Sequence, residues 1–100
     1  MSYEGWANYE TWAVNLWLSN DEGSYNYICE LADESLTKTK ADKHHTHKEN
    51  AGLALSNLIK DFVEDSKPDQ QKSSVYTDLL THALGCVDYY EIAKAWLDYY

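Results

Sequence analysis

One hundred residues, 44% of them hydrophobic and 25% charged, suffice for one compact domain and not for two. Acidic residues outnumber basic ones seventeen to eight, a net charge of −9, which disfavours contact with nucleic-acid phosphates or an anionic membrane. Every base is Lys; Arg, the side chain suited to bidentate phosphate recognition, is absent, which argues against phosphate-handling enzymes.

No apolar run approaches the ~20 residues of a membrane-spanning helix. The opening Met1-Ser2-Tyr3-Glu4-Gly5-Trp6 has no basic residue and no apolar stretch of signal type, so a cytoplasmic location is expected. Cys29 and Cys86 stand far apart with no Cys-x-x-Cys spacing, the pattern of buried thiols more than of a disulfide framework or zinc knuckle. The charge is unevenly divided. Residues 1–37 hold seven acids and no base, residues 38–72 six acids and seven Lys, and residues 73–100 four acids and one Lys. All Trp and Tyr residues fall in the two acidic ends, so these are expected to form one aromatic-rich unit around a polar middle arm.

The first helix is expected after Asn8, a suitable N-cap, with Tyr9, Trp12, Ala13, Leu16 and Trp17 at helical spacing as its core stripe. The turn at residues 20–23 ends it. Ser24 then caps a second helix, whose Ile28, Leu31, Ala32 and Leu36 face inward while Glu30, Asp33 and Glu34 take the wet side. Residues 37–48 are almost devoid of apolar side chains and read as a polar arm or loop with partial helix. Leu55, Leu58, Ile59, Phe62 and Val63 make a third face, which Pro68 and the polar run 69–73 interrupt. Ser74 caps a fourth helix with Tyr76, Leu79, Leu80, Ala83, Leu84 and Val87 inward. Asp88 and Glu91 resemble a capping box that opens a fifth, with Tyr89, Ile92, Ala93 and Trp96 inward. No segment alternates with period two, so the predicted fold is all-α, a compact bundle of four to five short helices in one domain over residues 1–100.

Chemistry is sparse. His44, His45 and His47 form the most metal-like group, but no Cys accompanies them and Lys43 and Lys48 flank them, so a solvated arm is the better reading and no metal is expected. Asp21 and Glu22 beside Asn20 lack the calcium-loop pattern and read as a capped turn. Asp78, His82 and Cys86 line up at four-residue steps as orienter, base and nucleophile, yet no oxyanion-hole segment goes with them. The scattered glycines write neither a dinucleotide nor a Walker motif. No cofactor is expected. What remains is two acidic triplets, Glu30/Asp33/Glu34 and Asp61/Glu64/Asp65, each on one side of a helix, together with more tyrosines than so small a core can hide, Tyr25, Tyr27, Tyr90, Tyr99 and Tyr100 among them.

The run Asn8-Tyr9-Glu10-Thr11-Trp12, continuing Ala13-Val14-Asn15-Leu16-Trp17-Leu18 and Asn20-Asp21-Glu22, resembles the opening of a group of small uncharacterised proteins encoded by phages, plasmids and conjugative elements. Tyr76-Thr77-Asp78-Leu79-Leu80 and Asp88-Tyr89-Tyr90-Glu91-Ile92-Ala93 look like that group's closing signature. The resemblance covers about half the chain and implies a genomic setting more than an activity. Beside it, Glu10 and Asn15 are expected to tie neighbouring helix ends by hydrogen bonds.

The expected function is a non-catalytic binding protein, monomer or homodimer, that occupies a basic surface of a nucleic-acid-handling bacterial defence complex, in anti-CRISPR or anti-restriction fashion. It would bind neither nucleic acid directly nor a membrane. The two triplets with Tyr25 and Tyr27 are the candidate binding residues. The alternatives are a structural or regulatory adaptor that uses residues 44–48, and a small enzyme working through Cys86.

Overall fold

The computed structural model describes residues 3–66 and 75–98. The expected turn at Pro68 to Ser73, the Ser74 cap and the tyrosines at 99 and 100 lie outside them. Five helices follow in order: α1 (Tyr9–Asn20), α2 (Glu22–Lys38), α3 (His47–Asp65), α4 (Val75–Gly85) and α5 (Tyr89–Asp98). The fold is an all-α bundle, with no strand among the described residues.

Local chemistry sets most helix boundaries. Asn8 caps α1 by accepting from the Thr11 N–H at 2.9 Å, and Asp21 caps α2 by accepting from the Ser24 N–H at 2.9 Å. The cap of α2 is therefore Asp21, one turn ahead of the expected Ser24. Helix α3 opens on a complete capping box: the Thr46 hydroxyl accepts from the Glu49 N–H at 3.1 Å, and the Glu49 carboxylate accepts from the Thr46 N–H at 2.9 Å. Of the polar arm, residues 39–46 form a hydrogen-bonded loop, while Thr37 and Lys38 end α2 and His47 and Lys48 begin α3. Asp42 accepts from the His44 and His45 N–H groups at 2.9 and 2.7 Å, and Asn50 reaches back to the Lys40 carbonyl at 2.7 Å.

The core is formed by α1, α2, α3 and α5, with α3 packed against both α2 and α5. Ile28 and Leu31 from α2, Leu55 and Ile59 from α3, and Ile92, Trp96 and Leu97 from α5 are buried together. Each such side chain contributes roughly 1.5–3 kcal/mol on leaving water. Gly52 lets α3 approach α5: a Cβ there would stand 3.0 Å from the Tyr90 ring. Helices α2 and α3 are antiparallel, since His47 Nε2 donates to the Leu36 carbonyl at 2.7 Å near one end and the Tyr27 and Phe62 rings meet at 4.9 Å near the other.

Two faces differ from the sequence-based expectation. Helix α1 buries Thr11 and Leu18, whereas Tyr9, Leu16 and Trp17 are exposed, Trp17 by 73%. Helix α4 buries none of its residues; Tyr76 is 78% exposed and Leu79 is exposed as well. Its Leu80, Ala83 and Leu84, and Val87 just beyond its end, are only partly covered. The α3 and α5 faces are as the periodicity predicts, with Leu55 and Ile59 buried, Leu58, Phe62 and Val63 packed against them, and Tyr89, Ile92, Ala93 and Trp96 inside.

Candidate protein-binding surface

The Asn-Tyr-Glu-Thr-Trp run forms a joint. Asn8 Oδ1 accepts from both the N–H and the hydroxyl of Thr11, the latter at 2.7 Å, while Asn8 Nδ2 donates to the Cys86 carbonyl at 2.7 Å. Thr11 Oγ1, fully buried, accepts from the Asp88 N–H at 2.9 Å. Glu91 completes the joint by accepting from the Ala7 N–H at 3.0 Å, as Asp88 accepts from the Glu91 N–H at 3.0 Å. Further along α1, Asn15 Oδ1 accepts from Trp96 Nε1 at 2.9 Å, which is the helix-tying role expected of Asn15. These polar residues dock α1 onto α5 and fix which way α1 turns its aromatics.

That docking decides what faces outward. Glu30, Asp33 and Glu34 are exposed on α2, opposite its buried row Ile28, Leu31, Ala32 and Ser35. Glu34 carries an i, i+4 ion pair with Lys38 at 2.7 Å, so exposed on both sides that it adds little to stability. Asp61, Glu64 and Asp65 are likewise exposed on α3, opposite Leu55 and Ile59. The antiparallel pairing offsets the two triplets by about two helical turns, ~10 Å at 1.5 Å per residue, so they form two rows and not one block. Tyr27 and Phe62 form a seam where α2 meets α3, with Glu30 one turn after Tyr27, while Glu64 lies on another side of α3, in a cleft with Lys60, Leu84 and Tyr89. Tyr25 packs on Trp96 with ring centroids 5.3 Å apart. Both tyrosines keep a large exposed surface while one side of each ring is held.

Beside this seam lies an apolar groove of about 300 Å³, lined by Ala13, Val14, Trp17 and Leu18 of α1, Ser24 of α2, and Phe62, Val63 and Ser66 at the end of α3. The sequence reading missed it, because it placed Trp17 in the core. Asp21, bonded to the lining Ser24, is held below the usual carboxylate range by the Ser24 hydroxyl and N–H.

The chemical candidates are less converged. His82 Nε2 and Cys86 Sγ lie 3.8 Å apart on consecutive turns at the surface end of α4, and neither thiol of the chain is in a disulfide. His47 is committed to the Leu36 carbonyl, while the backbones of His44 and His45 are held by Asp42, whose carboxyl these two N–H groups keep below its ordinary range. Among the described residues no group of three His, Cys, Asp or Glu is arranged to hold a metal ion, and no helix is long and apolar enough to cross a membrane.

A protein-family model described as Family of unknown function (DUF7249) matches residues 1–95. The chain belongs to this family. The DUF7249 match takes in the whole Asn8–Thr11–Asp88 joint, both acidic rows and the groove. Neither the search of curated proteins nor that of solved structures gave a match.

Proposed function

We propose that the chain is a non-catalytic binding protein that lays an anionic, aromatic-studded face on a basic protein surface, and that in its concrete form it comes from a mobile genetic element and blocks a nucleic-acid-handling bacterial defence complex of CRISPR or restriction type. The observation that carries this reading is the pair of exposed acidic rows on α2 and α3, with the partly exposed Tyr27 ring held against Phe62 where the two helices meet. Carboxylates spaced along a helix steer a cationic partner from a distance, and held aromatic rings give short-range contact at low entropic cost. The net charge of −9 makes that steering a property of the whole molecule.

The test is plasmid transformation into hosts whose restriction or CRISPR system limits it. Expression of the chain should raise the transformation frequency, and the triple reversal Glu30→Lys, Asp33→Lys, Glu34→Lys should abolish the gain while the helical circular dichroism stays unchanged. The blocked complex should release the chain as salt rises. A gain that survives the reversal removes the α2 row from the account, and no gain in any such host removes the function.

A further inference from the structure

The groove beside Trp17 combines three properties that no other described surface joins. Its floor is apolar, from Ala13, Val14, Leu18, Phe62 and Val63. At its edge stands a Trp that is 73% exposed, beside an exposed Leu16, the residue type that most often anchors an interface. Among the described residues, acids stand near its lining: Glu10 precedes Ala13 and Val14 by one turn on the same face of α1, Asp21 binds the lining Ser24, and Asp65 stands three residues after Phe62.

The backbone adds to this field. Helices α1 and α3 both bring their C-terminal turns to the groove, through Trp17 and Leu18 and through Phe62 to Ser66, and neither has a basic residue in its last turn. Each such end carries a partial negative charge of about half an electron. Asp65 sits in the last turn of α3, where a carboxylate is unfavourable and a cation is missing. Among the described residues no base borders the groove.

We infer that the groove is the seat of an amphipathic helix of the basic partner, its apolar face against Trp17, Val14 and Phe62 and its Lys or Arg flanks against Glu10, Asp21 and Asp65. This inference rests on the proposed binding function and names where that partner is gripped. An apolar floor alone would take any greasy segment; the nearby carboxylates and the two helix C-termini select a cationic one. A second copy of this chain is disfavoured, because it brings nine further negative charges and its exposed helix, α4, offers Asp78 and no Lys.

The probe is a synthetic 18-residue helix of Leu and Lys in amphipathic order, with a Leu/Glu peptide of the same pattern as control. Binding is followed at the Trp17 indole N–H, assigned by Trp17→Phe. The Leu/Lys peptide should shift that signal and bind at least tenfold more tightly than Leu/Glu. Trp17→Ala should weaken it at least tenfold without lowering the melting temperature, since the ring is exposed. Asp65→Lys should weaken it several-fold. Equal binding of the two peptides, no binding of Leu/Lys, or a dimer in sedimentation that Trp17→Asp dissolves would each overturn the inference. The two ideas fail separately: a Trp17→Ala chain that still blocks its host complex leaves the function standing on the α2 row and removes the groove.

Discussion

The buried hydroxyl of Thr11 donates to Asn8 Oδ1 at 2.7 Å and accepts from the Asp88 N–H at 2.9 Å, so one oxygen joins the start of α1 to the start of α5. Thr11→Val keeps the volume and deletes both bonds, leaving the part-buried Asp88 N–H without this acceptor, while the backbone N–H at position 11 still bonds to Asn8. The expected loss is about 1–3 kcal/mol, seen as a clear drop in melting temperature at roughly 4–8 °C per kcal/mol. Thr11→Ser, which retains the hydroxyl, should recover most of it. A Thr11→Val chain as stable as the parent would show that the joint is incidental.

Gly52 sits inside α3, where Ala ought to be better by about 1 kcal/mol. The Tyr90 ring occupies the space a Cβ would need, 3.0 Å away. Gly52→Ala should therefore fall short of that gain or destabilise, and in a Tyr90→Ala background it should stabilise by about the full amount. A double-mutant cycle by urea unfolding measures the difference.

Tyr89 is buried on α5 with its hydroxyl left without a hydrogen-bond partner among the described residues, and burial, with Glu64 nearby, pushes its pKa up. Tyr89→Phe should leave the melting temperature unchanged or raise it, because the unsatisfied group disappears. A raised folded-state pKa means stability that is intact below the unfolded value, ~10, and that drains as pH rises through the folded one. The alkaline decline in stability should accordingly be shallower in Tyr89→Phe.

Acid should act through Asp21, Asp42 and Glu49, whose carboxyls are held below their ordinary values by the N-cap, loop and capping-box bonds they accept. A folded pKa below the unfolded one, ~4, gives stability that is present above that value and is lost as pH falls through the folded pKa. The urea midpoint should thus be flat from neutrality to about pH 5 and decline below about pH 4. Asp42→Asn should lessen that decline and increase amide exchange at His44 and His45.

The helices of the core were legible in the sequence, and two of the faces were not, for a physical reason that can be named. Helix α1 has apolar residues around its whole circumference, so periodicity does not choose a side. The choice is made by Asn8, Thr11 and Asn15, whose partners at Cys86, Asp88 and Trp96 are distant in sequence. Helix α4 has a clean apolar stripe, but spacing says nothing about whether the same chain supplies a surface to cover it, and Tyr76 and Leu79 remain exposed. The α3 start, by contrast, was written openly in Thr46 and Glu49. The acidic rows were readable from helical spacing; the groove between α1 and α3 was not, since it exists only once Trp17 is turned out.

The bonds that seat α1 span 77 to 84 residues of chain. A nascent chain leaving the ribosome holds Asn8 and Thr11 long before Cys86, Asp88 and Glu91 exist, so the polar bonds of its first helix wait until those residues have been made. Bonds of such sequence separation carry a loop-closure cost that contacts between neighbouring helices do not. Cutting away either end of the chain would strand the other.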